Sequence, residues 1–147
     1  MSGLEIGIVG AGMGGLTAAI ALMENGHRVT VFEQAERFAR VGADINLTPN
    51  AVHALDRLAV GEALRASAAQ PTYRISRTWD TGEVTSKIEM RDAAQAKYGA
   101  PQLTIHRADL LSALETRLPA TCFSMGRKAV GMTEIDGRPT VKFASGE

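Results

Sequence analysis

The run Gly10-Ala11-Gly12-Met13-Gly14-Gly15 can do chemistry without any side chain, and an acid, Glu33, stands 23 positions beyond its first glycine. Holding a diphosphate needs backbone N–H groups that nothing shields. Gly10 permits a tight turn out of a strand, Gly12 lets main chain approach the ligand, and Gly15 lets the next helix lie close on the sheet, with Gly14 part of the same cradle. A helix opening there points the positive end of its dipole at the anion. A carboxylate at Glu33 accepts hydrogen bonds from both hydroxyls of a ribose and repels a 2′-phosphate. The pattern therefore predicts an ADP-ribose with a free 2′-OH, as in NAD or FAD and not NADP. A lone G-x-G-x-x-G is weak evidence; this one follows a strand, opens a helix and is answered by an acid at a strand end. The bland alternative is a glycine-rich turn with an incidental surface glutamate.

These residues need a frame. Leu4 to Val9 reads as a buried parallel strand running into the glycines. Leu16, Ala19, Ile20 and Met23 recur at helical spacing, and Asn25-Gly26 supplies a left-handed stop. "HRVTVFE" (27–33) is a second strand with Val29 and Val31 alternating, which completes one βαβ unit. Thr48-Pro49 looks like an N-cap with proline in the first helical position, ahead of Val52, Leu55 and Leu58; Gly61 breaks that helix before a short second one through Leu64. Residues 71–90 read as a hairpin turning at Asp80-Thr81-Gly82. "QLTI" (102–105) is a strand leading into a helix (106–118) with Leu110, Leu111, Leu114 and Leu118 on one face, ended by Pro119. "TCFSM" is a third parallel strand, and a last hairpin turns at Asp136-Gly137.

Bulk properties exclude several classes. The 147 residues carry 16 basic and 16 acidic side chains, so no global field steers the chain toward nucleic acid or an anionic membrane. Leu4 to Met23 is apolar enough to suggest a membrane span, but five glycines and a missing basic flank favour a strand, a turn and a buried helix. Cys122 stands alone, which points to a reducing, cytoplasmic setting. His27, His53 and His106 are too scattered for a metal site and read as core or surface residues. Trp79 and the two tyrosines read as packing residues, and no nucleophile pattern is present.

After Glu33 the chain does not continue the short alternation of an NAD dehydrogenase. It makes two helices and a long hairpin before returning to the sheet near residue 120, an excursion suited to a flavin domain. At these residues a family resemblance becomes visible. "GIVGAGMGGLTAAIAL", "VTVFEQAERFARVGADINLTPNAVHAL" and "TIHRADLLSAL" together resemble the N-terminal part of the single-component FAD-dependent aromatic hydroxylases, and "ISRTWDTGE" and "KYGAPQLTIHRADL" most resemble the salicylate hydroxylase and 6-hydroxynicotinate 3-monooxygenase branch.

The resemblance implies that Glu33 and the main chain of Gln34 hold the adenosine ribose, that Arg107 lies against the FAD near its pyrophosphate, and that main chain at Ala129 touches adenine. A guanidinium forks onto phosphate oxygens, so Arg107 suits that place, with a surface ion pair as its alternative. Arg40 is a second flavin candidate. Asn46 could face flavin or substrate, or be a structural hydrogen-bonding residue. Asp44 replaces a glycine usual in the family; aimed at the ring it would disfavour an anionic reduced flavin, and the preferred reading is that it points away.

The fold expected is α/β, a Rossmann-like FAD-binding βαβ sheet with inserted hairpins. Residues 1–147 form one domain, the N-terminal portion of an FAD-binding domain. The family's Ala-Asp-Gly element, its Gly-Asp motif and its substrate domain do not occur, so the chain reads as truncated, with the edge of "EIGIVG" exposed and open to self-association. The activity implied is hydroxylation of a small aromatic acid using O2, with FAD as cofactor and NADH or NADPH as transient reductant. This stretch supplies the ADP-binding part and is inactive alone; no catalytic residue is assigned. The alternatives are an NAD-dependent dehydrogenase or other FAD oxidoreductase, and a non-catalytic nucleotide-binding module.

Overall fold

The computed structural model describes residues 3–39 and 42–146. The chain divides into two compact units, one formed by residues 1–40 and 114–147, the other by residues 41–113.

In the first unit, β1 (Glu5–Val9), β2 (Arg28–Phe32) and the short β7 (Phe123–Ser124) form a parallel sheet in the order β1-β2-β7. Helix α1 (Met13–Glu24) joins β1 to β2 and buries Leu16, Ala19 and Ile20. Val29 and Val31 of β2 are buried in alternation, and Leu114, Leu118 and Cys122 are also core residues of this unit. Each buried valine, leucine or isoleucine among them contributes about 1.5–3 kcal/mol by leaving water. Helix α1 stops where its sequence requires: Gly26 has φ +82°, its N–H reaches the Met23 carbonyl, and the His27 N–H reaches Leu22. That pair of bonds is a Schellman ending. The hairpin of β8 (Ala129–Ile135) and β9 (Arg138–Phe143) turns through Asp136 and Gly137, both with positive φ, the demand of a tight two-residue turn. Its Phe143 packs on Phe32 with ring centroids 5.0 Å apart. Within the described sheet β1 has one neighbour, so its other edge is unpaired.

In the second unit, β3 (Asp44–Leu47) pairs antiparallel with β6 (Leu103–His106). Ile45, Leu47, Leu103 and Ile105 lie on the inner face, so Asp44, Asn46, Thr104 and His106 share the opposite one. Helices α2 (Pro49–Arg57) and α3 (Gly61–Ser67) bury Val52, Leu55 and Leu64. The hairpin of β4 (Tyr73–Arg77) and β5 (Val84–Glu89) is followed by α4 (Arg91–Tyr98), then β6, and α5 (Arg107–Glu115) leads back into the first unit.

Four local expectations change. Thr48 sits at the N-cap of α2, but its hydroxyl bonds the Asn50 side chain at 2.6 Å in place of a helix amide. The break after α2 falls at Ala59, which takes the left-handed position with φ +55°, while Gly61 begins α3. Gly61 is small for another reason: a Cβ there would lie 1.7 Å from Asp56 Oδ1, in the ion pair with Arg65. Helix α4 is not expected from the sequence pattern. Trp79, read as a packing residue, is 97% exposed, because it stands at the tip of the β4–β5 hairpin with nothing above it.

Among the described residues no helix is long and apolar enough to cross a membrane.

Candidate nucleotide-binding site

The β1–α1 turn is built as an open cradle. Gly10 has φ +98° and its N–H donates to the Phe32 carbonyl at 2.7 Å, so the turn is anchored to β2. Gly15 is pressed against that turn: a Cβ would stand 1.9 Å from the Gly10 carbonyl oxygen. Gly12 and Gly14 face open space, where an added Cβ would meet no atom within 4 Å. Gly12 is the N-cap of α1, without a side-chain cap and without an acid in the first turn. The first-turn amides therefore keep their donor capacity for an external anion.

Glu33 closes the cradle from β2. Its Oε2 accepts the Ala11 N–H at 2.8 Å and its Oε1 accepts the Ala35 N–H at 2.9 Å. Gln34 is exposed beside it. A cavity of about 230 Å3 opens at this point, lined by Gly10, Glu33, Gln34 and Ala129 together with Phe32 and Arg127. The structure thus gathers four of the residues singled out from the sequence around one space. Arg127 has no signal in the sequence: it lies in a connection, and no periodicity marks it.

The second unit holds Arg107, Asn46 and Asp44. Arg107 opens α5 at a strand-to-helix junction, half-buried, with its N–H donating to the Ala43 carbonyl at 3.0 Å. Its side-chain stem packs on Gly42, where φ is +146° and a Cβ would stand 2.9 Å from Arg107 Cβ. Asn46 is exposed on β3 and accepts a hydrogen bond from the Thr104 hydroxyl at 2.7 Å, so a structural role is visible for it. Asp44 is exposed on the same face. Arg40 lies outside the described residues.

The histidines have local partners. His27 Nδ1 accepts the Leu4 N–H, His53 Nε2 reaches the Tyr98 carbonyl at 2.7 Å, and His106 Nδ1 accepts the Ala108 N–H. Among the described residues no three His, Cys, Asp or Glu side chains cluster as metal ligands.

Residues 8–58, which hold the cradle and its acid, match the family described as an NAD(P)-binding Rossmann-like domain. The 6-hydroxynicotinate 3-monooxygenase of Pseudomonas fluorescens is 39% identical over 137 residues, 93% of this chain and 35% of that protein. The FAD-dependent monooxygenase OpS4 of Beauveria bassiana is 41% identical over 115 residues, 78% of this chain and 27% of that protein. The salicylate hydroxylase of Pseudomonas putida is 36% identical, over 98% of this chain and 33% of that protein. The Klebsiella pneumoniae HpxO structure complexed with FAD and uric acid superposes with a TM-score of 0.86 over 99% of this chain and 36% of that one, at 24% identity, a likeness of fold. The tetrameric form of 2-methyl-3-hydroxypyridine-5-carboxylic acid oxygenase gives 0.78 at 25% identity, over 99% of this chain and 36% of that one. The chain spans about a third of the length of these curated hydroxylases.

Proposed function

We propose that this chain supplies the ADP-binding part of the flavin site in a monooxygenase that hydroxylates a small aromatic acid, with NADH or NADPH as transient reductant and O2 as co-substrate. The observation that carries the reading is Glu33 poised over the glycine turn: each carboxylate oxygen holds one main-chain N–H and retains a lone pair for a ribose hydroxyl. The open faces of Gly12 and Gly14 fit a diphosphate, which side chains there would displace. When bound, FAD supplies the redox chemistry.

This chain's own residues bind and orient. Amides of Gly12, Gly14 and Gly15 receive the diphosphate, with Gly10 shaping the turn while its own N–H stays on Phe32; Glu33 fixes the ribose, with the Gln34 main chain beside it; main chain at Ala129 borders the base. Further cofactor-binding residues in this reading are Arg107, with a fork of donors for phosphate, Asn46, with its amide for flavin, and Arg40 as a second cation. A reducing, cytoplasmic setting belongs to the same reading, in which Cys122 stays a thiol. The unpaired edge of β1 is proposed as a site of self-association, to be checked by sedimentation across concentration.

Titration of the protein with FAD and with NAD tests the reading. Tight one-to-one binding of FAD, weakened by Glu33→Ala, is expected. Preference for NAD with no flavin uptake would move the chain to the dehydrogenases, an alternative favoured by the description of the family that residues 8–58 match. Oxygen uptake dependent on NADH and on 6-hydroxynicotinate or salicylate tests the hydroxylase activity.

A further inference from the structure

The geometry points to Arg127 as the residue that grips the adenine ring, by laying its planar guanidinium on the purine face; this inference rests on the dinucleotide reading of the glycine cradle. The cavity between Glu33 and Ala129 measures about 230 Å3, below the ~300–1,000 Å3 of a pocket for a whole drug-sized ligand. It is a compartment for one part of a nucleotide. The acid that would take the ribose stands on its wall, so the group joined to that ribose belongs inside.

Arg127 is held beside this compartment through both its main chain and its side chain. Its main-chain N–H donates to the carbonyl of Glu33 at 2.7 Å, which ties it to the ribose acid's own backbone. Its Nε donates to the Ser124 hydroxyl at 3.3 Å. Its guanidinium carbon lies 5.9 Å from the centre of the Phe143 ring, and Phe143 packs in turn on Phe32, another residue lining the cavity. A guanidinium is flat, delocalised and weakly hydrated, and it stacks on π faces as an ammonium does not. Holding it in place beforehand lowers the entropy lost when a base arrives.

Two other roles for the same cation differ in what they require. A phosphate contact needs charge and not a plane. A purely structural role, bracing Phe143, needs neither ligand nor charge. ADP and inorganic pyrophosphate separate the three, because pyrophosphate reads the glycine cradle without a base.

The experiment measures dissociation constants of ADP and of pyrophosphate by calorimetry for the unaltered chain, Arg127→Lys and Arg127→Ala, with thermal melting of each. The expected result is ADP affinity lowered about fivefold to tenfold in both variants, from the loss of the planar guanidinium stack, with pyrophosphate affinity unchanged. UDP, with its smaller ring, is expected to bind the unaltered chain more weakly than ADP, and Arg127→Lys to narrow that gap. Full recovery of ADP binding by lysine, or an equal loss for ADP and pyrophosphate, overturns the stacking role in favour of charge. Unchanged ADP affinity in both variants overturns it while leaving the cradle standing. Should Arg127→Ala fold poorly, Arg127→Lys against pyrophosphate still decides. An unaltered chain that binds neither ADP nor pyrophosphate removes the dinucleotide reading and this inference with it.

Discussion

Replacing Gly15 by alanine separates the two demands placed on the glycine turn, close packing and open access. A Cβ at Gly15 would stand 1.9 Å from the Gly10 carbonyl oxygen, 3.1 Å from its carbon and 3.4 Å from Ile8 Cγ2. To restore ordinary contact at 3.4 Å the start of α1 must draw back by about 1.5 Å from the turn. The obstacle is main chain, so no rotamer relieves it. The Gly10 peptide is also held in place, by its bond to Phe32 and its φ of +98°. Overpacking of this kind costs about 1–3 kcal/mol, and a backbone obstacle belongs at the upper end. Alanine returns about 1 kcal/mol through helix propensity. A net loss of about 2 kcal/mol lowers the melting temperature by roughly 4–8 °C in a chain of this size. Gly14→Ala is the control, since its Cβ meets open space and keeps the propensity gain of up to about 1 kcal/mol. Thermal melts of the three proteins without nucleotide give the answer. A Gly15→Ala protein melting at or above Gly14→Ala would refute the claim that Gly15 is required by packing.

Glu33→Gln keeps one acceptor but gives up a charge-assisted bond to either Ala11 or Ala35, so a loss of about 1–2 kcal/mol is expected in denaturant melts, together with weaker rejection of 2′-phosphorylated nucleotides in competition titrations. The Arg65 hydrogen bond holds the Asp56 carboxyl below its ordinary value of 3.8. A depressed folded pKa makes that stabilisation present above the unfolded pKa and lost as pH falls through the folded one, so Asp56→Asn should flatten the acid limb of the stability profile. Burial pushes the Cys122 thiol up, and folded protein at pH 8 is expected to resist a disulfide reagent that reacts at once after denaturation. Ala59→Gly relieves a left-handed alanine at the end of α2 and is expected to add about 0.5–1 kcal/mol in the same melts.

The parts legible in the sequence are those where backbone geometry narrows the choice of residue. Asp136-Gly137 marks its hairpin because both positions need positive φ, and Asn25-Gly26 marks the end of α1 for a similar reason. The glycine cradle could be read because a turn, a helix start and an acid must follow in fixed order. Helix α4 could not be read from periodicity: none of its residues is buried, so no apolar stripe exists to detect. Its one signal is at the end, Gly99 with φ +73° followed at one remove by Pro101. Ala59 hid the break after α2 because alanine seldom takes that conformation, and Gly61 drew attention to the wrong residue. Arg127 escaped for a deeper reason. The ring its guanidinium lies against belongs to Phe143, sixteen positions later, across a hairpin whose placement no local pattern announces.

Glu33 shows why the nucleotide site and the fold are hard to separate in this chain. Read from sequence, it is an acid waiting for a ribose. In the folded chain it also joins two segments, taking one N–H from Ala11 in the glycine turn, 22 positions before it, and another from Ala35 after β2. Those two bonds fix the cradle before any ligand arrives, so binding need not order the loop, and affinity is not spent on closing it. Glu33 is half-buried, where losing its partners is costly, and each carboxylate oxygen keeps acceptor capacity beyond the N–H it holds. An aspartate at this position would keep the charge but stop one methylene short of Ala11. The length of the side chain, as much as its charge, is therefore what the cradle requires.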